Sequence, residues 1–248
     1  MESSTRAQQW SEWADRLVAA DPEDVPAEVL ALAGSLAPGA GVSLRLFPDR
    51  VHATAAEALE LERLQQQTQE GPGLVVGPTQ GTVEVVDLHT DARWPSLARA
   101  SRRLPARALR CFAVTLGGDH LGTLTVWSTE PRALDRDVER DGVALATVTA
   151  IVLLLRRREK QLEQAVDSRD VMGQAKGILM ERLGVTAEVA FQLLTRVSQR
   201  SNTKLVVVAQ ELATTGHVSA PGVVLDRDHV VPPGRATDGA PQADGVSS

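Results

Sequence analysis

The chain has 248 residues, which suggests one or two domains, and its formal net charge of -6 excludes a protein that binds nucleic acid over its whole surface. A single cysteine, Cys111, excludes an internal disulfide framework and is typical of the reducing cytoplasm. No apolar run approaches the roughly 18 residues that span a membrane, and the polar N-terminus is unlike a signal peptide. We therefore expect a cytoplasmic protein without membrane contact.

Residues 1–37 are predicted to form two helices. The first has an apolar stripe at helical spacing, made of Trp10, Trp13, Ala14, Leu17 and Val18. Asp24 is expected to cap the second helix, whose first turn holds Pro26, where a missing N–H costs nothing. The stripe either packs on the domain that follows or forms a dimer contact, and we favour packing.

Residues 38–155 alternate between strand and helix patterns. A half-buried strand is predicted over residues 42–47, and a return strand begins at residues 51–53. Residues 57–69 follow the helix period, with Leu61 and Leu64 inward and a glutamine-rich outer face.

The second half of this region adds strands over residues 83–88, 109–116 and 121–128, and a short helical segment that ends near Arg103. The last two strands are joined by the Gly-rich hairpin connection 117–120. Strands that are separated by helices and closed by a hairpin indicate an α+β domain, in which helices flank an antiparallel sheet.

Residues 137–183 contain no proline, which predicts one long helix, or two nearly collinear ones, after an Asp135 cap. Its apolar positions fit a heptad only in part: Val148, Val152, Leu155, Leu162 and Val166. Glu159 interrupts the pattern, which is shorter than a clear coiled coil requires. We expect a parallel homodimer through this helix; the alternative is a monomeric helix packed on its own sheet.

Residues 168–212 hold three helical patterns with short connections, so successive helices must pack on each other. Gly184 is expected to end the first helix, Thr186 to cap the second, and Ser201 or Asn202 to cap the third. The predicted inward positions are Met172, Ala175, Leu179 and Leu183, then Ala187, Ala190, Phe191, Leu194 and Val197, then Leu205, Val208, Ala209 and Leu212. Phe191 is the one large aromatic residue available to fill the centre.

Residues 217–248 lose all periodicity. They are rich in Pro, Gly, Ala, Asp and Ser, and prolines interrupt them at positions 221, 232, 233 and 241. This composition predicts a disordered tail.

No motif in the chain would carry catalysis. The five histidines are scattered, and the chain has no phosphate-binding loop and no paired cysteines. Cys111 is interpreted as a core thiol, and Asp87 and Arg93 as loop and cap residues. We therefore expect that the protein is not an enzyme.

Basic residues are concentrated in and just before the three-helix segment 168–212. From Arg156 to Thr215 there are ten Lys or Arg and seven Asp or Glu residues, a net charge of +3, against -9 for the rest. A basic module on an acidic body is what a local RNA contact needs, although ordinary surface composition explains the surplus equally well.

The three-helix segment resembles the ANTAR domain, an RNA-binding module of bacterial transcription antiterminators. The matching residues are Arg169, the run Gly173-Gln174-Ala175-Lys176-Gly177-Ile178-Leu179-Met180, Gly184, Ala190-Phe191, Ser198, Asn202, Lys204-Leu205 and Val208-Ala209. The resemblance implies binding to paired RNA hairpins in the leader of a nascent mRNA, which would prevent a terminator from forming.

Residues 38–155 resemble a GAF domain, a sensor module for small molecules. The matching residues are Gly41-Val42-Ser43-Leu44, Gln65, Glu70-Gly71-Pro72, Asp87-Leu88, Arg93-Trp94-Pro95 and Leu121-Gly122-Thr123-Leu124. The resemblance implies a small-molecule ligand, and the same domain order is common in actinobacteria. Gly73 stands where relatives often have a cysteine, which excludes cysteine chemistry there, and no cofactor is assigned.

Exposed polar positions on the three helices are the candidate RNA contacts: Arg169, Gln174, Lys176, Arg182, Arg196, Arg200, Asn202, Thr203 and Lys204. Each has a structural alternative, since Asn202 would serve as an N-cap, Gln174 as a solvated residue and Arg169 as a partner of Asp167 or Asp170. Gly173 and Gly177 suggest that RNA or the third helix approaches closely.

The sequence therefore predicts N-terminal helices (1–37), a GAF-like sensor domain (38–155), an all-α three-helix ANTAR module (156–216) joined by a long helix, and a tail (217–248). The predicted function is signal-responsive antitermination by a homodimer that binds RNA. The alternative is a sensor whose helical module binds a protein partner or DNA, although the third helix is too apolar to read a groove.

Overall fold

A sheet of five antiparallel strands organises the N-terminal part of the chain in the computed structural model, which describes residues 2–37, 39–220, 223–225 and 230–231. The strands are β1 (Gly41–Leu46), β2 (Arg50–Ala53), β3 (Thr82–Val85), β4 (Ala108–Leu116) and β5 (Asp119–Ser128), in the spatial order β2-β1-β5-β4-β3. Gly117 and Gly118, both with positive φ, turn β4 into β5 as the hairpin pattern predicted.

Helices cover both faces of this sheet. They are α1 (Glu2–Ala19), α2 (Val25–Gly34), α3 (Ala56–Thr68), α4 (Pro72–Val75), α5 (Pro95–Ala100) and α6 (Arg136–Leu183), with short 3-10 helices at Leu88–Thr90 and Ser101–Arg103. The chain divides into two compact units, Met1–Arg158 and Glu159–Ser248. The second unit contains the end of α6, α7 (Ala187–Ser201) and α8 (Leu205–Thr215).

Two hydrophobic cores lie on opposite faces of the sheet. Val42, Leu44 and Phe112 pack with residues of α1, α2 and the first part of α6, whereas Leu109 and Trp127 pack with residues of α3 and α5. The predicted fold class of this region, an antiparallel sheet flanked by helices, is confirmed.

The N-terminal helices belong to the first of these cores. Trp13 and Leu17 of α1 are buried in it, which confirms packing as the role of the apolar stripe, although Val18 is exposed. Pro26 lies in the first turn of α2 as expected. Asp24 precedes α2 but its carboxylate makes no cap hydrogen bond, because its backbone is already helical rather than extended, so that prediction was wrong.

Strand β1 is buried on both faces, and the prediction of a half-buried strand was wrong because α3 covers its polar side. Ser43 donates a hydrogen bond to Glu62 (2.8 Å), and Nε of Arg45 lies 3.6 Å from the Glu62 carboxylate. Arg45 also donates to the carbonyl oxygen of Gly73 (2.6 Å). Gln65 of α3 is fully buried, and its Oε1 accepts from the N–H of Gly73 (2.8 Å).

The loop residues and the cysteine have structural roles. Asp87 accepts two hydrogen bonds from Arg107 (2.8 and 2.6 Å), which lower the pKa of its carboxyl to about 2. Arg93 pairs with Asp91, and its guanidinium lies 4.3 Å from the centre of the Trp94 ring. Burial raises the pKa of Cys111 to about 12, so this thiol is a core group as interpreted from the sequence.

The long helix α6 is continuous over 48 residues, which confirms the expectation of one helix. Oδ1 of Asp135 accepts from the N–H groups of Asp137 (2.9 Å) and Val138 (3.0 Å), so the predicted cap is present. Within the described part of the chain, no helix combines the length and the apolarity needed to cross a bilayer.

A small core joins the three helices of the second unit. Its buried residues are Ala175, Leu179, Ala190, Leu194, Val197, Val208, Ala209, Leu212 and Val218. Phe191 is 43% exposed, so the prediction that it fills the centre was wrong. Ala190 faces inward, and the next residue on a helix lies about 100° around the axis, which carries Phe191 to the edge.

The caps of these helices agree only in part with the prediction. The hydroxyl of Thr186 accepts from the N–H of Val189 (3.4 Å), which confirms the start of α7. Asn202 does not cap α8; it ends α7 in the left-handed conformation (φ 51°), which asparagine tolerates. Ser201 is the last residue of α7, and Lys204 directly precedes α8.

Part of the predicted tail has regular structure. Val218–Ala220, Val223–Leu225 and Val230–Val231 form a three-stranded antiparallel sheet, which differs from the sequence prediction because these valine-rich segments favour strand pairing. Residues 221–222, 226–229 and 232–248 of the predicted tail lie outside the described residues.

Candidate nucleic-acid interface

The candidate residues on α6 fall on two sides of the helix. Arg169 and Lys176 are seven residues apart and therefore share one side, since seven residues make about two turns. Gln174 is exposed but lies about 160° around the axis from Lys176. The fold brings Arg169 and Lys176 to one surface and does not add Gln174 to it.

The Arg182 side chain contributes to the packing of the helices. Its Nη1 donates a hydrogen bond to the carbonyl oxygen of Gly216 (2.7 Å), at the C-terminal end of α8. This contact ties the end of α6 to the end of α8. A structural role therefore accounts for Arg182 without RNA.

Most of the other candidate RNA contacts lie in or near the connection between α7 and α8. Arg196 and Arg200 lie four residues apart on one side of α7, and both are exposed. Asn202 and Lys204 follow in the turn and are exposed as well. Thr203 is half-buried, and its hydroxyl donates to the carbonyl oxygen of Ser201 (3.3 Å), so it holds the turn together.

The first turn of α8 has no side-chain cap. Lys204 occupies the cap position, and its ammonium group cannot accept a hydrogen bond from the first N–H groups of the helix. The N–H of Val207 donates instead to the carbonyl oxygen of Lys204 (2.9 Å). A helix N-terminus with unsatisfied N–H groups and an adjacent ammonium group suits a phosphate.

Exposed apolar side chains occur on the same unit. They are Met180, Val189, Phe191 and Val207. Val207 lies on the outer side of α8, as the helical period predicts, because it is about 160° around the axis from the buried Ala209. An exposed aromatic ring is a platform on which an unpaired base can stack.

The two helix glycines face open space. A Cβ atom built at Gly173 or at Gly177 would meet no atom within 4 Å. The expectation that the third helix approaches α6 at these positions is therefore wrong. The open space at both glycines leaves room for a close approach by RNA.

The basic surplus divides between the units. Residues 159–215 carry seven basic and seven acidic side chains, so the surplus counted from residue 156 comes from Arg156, Arg157 and Arg158, which end the first unit. A cationic surface on the second unit would therefore depend on where its charges lie rather than on their sum. For the part of the chain that the structure covers, no group of three His, Cys, Asp or Glu side chains is placed to hold a metal ion.

The helices that carry these candidate residues are similar to a known domain family. Residues 160–212 match the model of the ANTAR domain. The match extends from within α6 to α8 and covers about a fifth of the chain. The predicted three-helix ANTAR module is thus confirmed as a domain type for these residues.

Several solved structures are similar to the chain. The bacteriophytochrome RpBphP3 from the photosynthetic bacterium R. palustris has a TM-score of 0.51 at 10% identity, over 80% of this chain and 47% of that chain. The GAF domain of the cyanobacteriochrome TePixJ has a TM-score of 0.43 at 17% identity, over 55% and 92%. The GAF domain from an Acinetobacter phosphoenolpyruvate-protein phosphotransferase has 0.45 at 12% identity, over 62% and 95%.

At these identities the likeness to solved structures concerns the fold alone. No curated protein matches the chain. The antiparallel sheet with flanking helices, the long helix α6 and the helices of the ANTAR segment together confirm the predicted fold class.

The open surroundings of Gly177 lead to a stability prediction. Gly177→Ala should raise the free energy of unfolding of the isolated protein by about 1 kcal/mol, because alanine favours the helix and the new methyl group meets nothing. Urea unfolding followed by far-ultraviolet circular dichroism would measure this, with Gly142→Ala as the contrasting variant. A methyl group at Gly142 would clash with the Phe112 ring, so that variant should be destabilised. A destabilised Gly177→Ala protein would contradict the prediction.

Proposed function

We propose that this protein regulates transcription antitermination by binding RNA hairpins in nascent transcripts through its ANTAR segment, under the control of a GAF-type sensor in the first unit. The observation that carries the proposal is the match of residues 160–212 to the ANTAR domain. Exposed cationic and amide side chains on the same helices support it, because RNA recognition needs phosphate contacts and hydrogen bonds to unpaired bases.

The connection between α7 and α8 is the proposed centre of the contact. Lys204 and the uncapped start of α8 would bind a phosphate, and Arg196 and Arg200 would bind the backbone on either side. Asn202 would hydrogen-bond a base edge, since it is exposed in the turn that follows α7. Phe191 would stack on a splayed base.

The contacts on α6 form a second part of the proposed surface. Arg169 and Lys176 lie on one side of the helix, close in angle to Gly173, where a phosphate backbone would meet no side chain. Gln174 faces another direction and would contact the same RNA only at its margin. Arg182 and Thr203 would support the surface through the bonds that they make within the protein.

A homodimer is the proposed assembly. Of the predicted heptad positions, Val152 is buried in the core of the first unit and Val148 packs against that core, so these two are not available to a partner. Leu162 and Val166 are 68% and 60% exposed in the second unit, and Leu155 is exposed in the first. A single helix that packs on nothing is marginal in water, so a partner for these apolar residues would stabilise it. Two copies would present two ANTAR segments to two hairpins and raise the apparent affinity.

The sensor would act on this assembly. A small molecule bound by the first unit would favour one arrangement of α6 or of the dimer over another, which requires a different affinity for the two states. The test is whether the ligand changes RNA affinity or the oligomeric state.

One observation favours a second candidate function, binding of a protein partner. Val206 and Val207 line a shallow groove of about 580 Å³ on the outer side of α8 together with Gln210, Glu211, Thr214 and Thr215. The same apolar surface disfavours DNA binding, because a recognition helix presents polar side chains to the major groove.

The RNA contact can be tested with charge variants of the full chain. The probe would be an RNA selected in vitro from a pool of two adjacent hairpins with randomised loops. Lys204→Gln should weaken binding and reduce the slope of log affinity against log salt by about 0.7 to 0.9, because one phosphate contact is lost. Arg50→Gln, an exposed charge on β2, is the matched control and should bind like the wild type.

Two results would count against the RNA proposal. Failure to select any RNA from the pool would favour the protein-partner candidate. Equal loss of affinity in Lys204→Gln and Arg50→Gln would show a non-specific charge effect instead of a site around α8.

The dimer can be tested on the same helix. Leu162→Glu should convert a sedimenting dimer to a monomer, because it places two carboxylates where two apolar side chains would meet. Gln164→Glu adds the same charge to an exposed position on a different side of α6 and should leave the dimer intact. A monomeric wild type at micromolar concentration in analytical ultracentrifugation would contradict the proposal.

A further inference from the structure

A groove in the first unit lies on the side of the sheet that faces α6. It has a volume of about 470 Å³ and is lined by Leu46, Phe47, Pro48, Leu121, Leu153 and Arg157. These residues come from the end of β1 and the turn after it, from β5, and from α6. Volumes of 300 to 1,000 Å³ are typical of sites for small molecules.

The walls of the groove are apolar. Phe47 is 45% exposed, which is unusual for a phenylalanine, and its ring makes a T-shaped contact with the His120 ring, with the ring centres 4.9 Å apart. Leu46, Leu121 and Leu153 are half-buried and line the rest of the groove. An apolar ligand would gain free energy here by removing this surface from water.

Arg157 is the one charged residue that lines the groove. Its neighbour Arg156 is occupied, since Nη2 of Arg156 donates to the carbonyl oxygens of Val18 (2.7 Å) and Ala20 (3.0 Å) at the end of α1. Arg157 makes no hydrogen bond or ion pair with any residue that the structure describes. Its guanidinium therefore remains available to an anion from solution.

We propose that this groove binds a small organic acid with an apolar body, such as an aryl or medium-chain carboxylate. The guanidinium of Arg157 forms two parallel hydrogen bonds to a carboxylate, and the leucine and phenylalanine side chains cover the hydrocarbon. No uncharged polar side chain lines the groove, so a sugar or a nucleoside would lose hydrogen bonds to water without replacement.

This site identifies the signal of the proposed function as an organic acid, and the inference therefore rests on the sensor part of that proposal. It is separate from the buried polar cluster of Arg45, Glu62 and Gln65, which lies on the face of the sheet covered by α3. Leu153 and Arg157 belong to α6, the helix that continues into the ANTAR segment. A bound acid would therefore contact the output helix directly.

The test is calorimetric titration of the full-length protein with octanoate and benzoate, in the absence of RNA. Each acid is compared with its neutral amide, octanamide or benzamide, and with acetate, which has the charge but not the apolar body. Inorganic phosphate is a further arm that detects a general anion site. We expect saturable binding of at least one of the two acids, at least tenfold tighter than its amide, acetate or phosphate.

Variants assign the binding to the groove. Arg157→Gln should abolish the preference for the acid over its amide, whereas Arg158→Gln removes an equal charge from the adjacent exposed position and should leave it unchanged. No saturation by either acid, equal binding of phosphate, or unchanged acid binding in Arg157→Gln would overturn the proposal. Acid binding without any RNA binding would support this site and contradict the proposed function. RNA binding without acid binding would support the RNA part of the proposed function and overturn this site.

Discussion

The structure depends on a helix whose two ends are buried in different cores. Leu145, Ala150 and Val152 of α6 lie in the core of the first unit, and Ala175 and Leu179 lie in the core of the second. Residues 157–167 between these ends are exposed on every side. Because an isolated helix gains little free energy in water, the buried ends must stabilise the exposed segment unless a partner covers it.

This arrangement relates the sensor and the RNA contact in physical terms. The buried core of the second unit consists of alanine, leucine and valine side chains, and Phe191 and the polar side chains of the α7–α8 connection lie at the surface. In the first unit, Arg157 of the same helix lines an apolar groove and makes no hydrogen bond or ion pair with the residues that the structure describes. In this account a ligand, a dimer contact and an RNA contact all act on residues of α6 or on helices packed against its end.

Short sequence motifs correctly predicted the turn and the two helix caps that depend on only a few neighbouring residues. The Gly117-Gly118 hairpin, the Asp135 cap and the Thr186 cap all occur as expected, because each is fixed by a few neighbouring residues. The burial of Arg45 on β1 was not predictable in this way. A period of two places alternate residues on opposite faces of a strand, but it does not reveal that α3 covers the polar face.

The candidate site shows the same limit. The exposure of Arg196, Arg200 and Lys204 follows from helix periodicity. The engagement of Arg182 with Gly216 depends on how the helices pack, and so does the exposure of Phe191. Asparagine is favoured both at the N-cap of a helix and, in the left-handed conformation, just after the C-terminal end of one. Asn202 has the second role because α7 ends at Ser201.

The central claim is that two ANTAR segments of one dimer bind two hairpins of one RNA. The most direct test measures the affinity of the full-length protein for the selected two-hairpin RNA, for each hairpin alone, and for a DNA duplex of the same sequence, across a series of salt concentrations. We expect the two-hairpin RNA to bind at least tenfold more tightly than either single hairpin, because the second contact becomes intramolecular. Equal affinity for one hairpin and two, or for the DNA duplex, would contradict it.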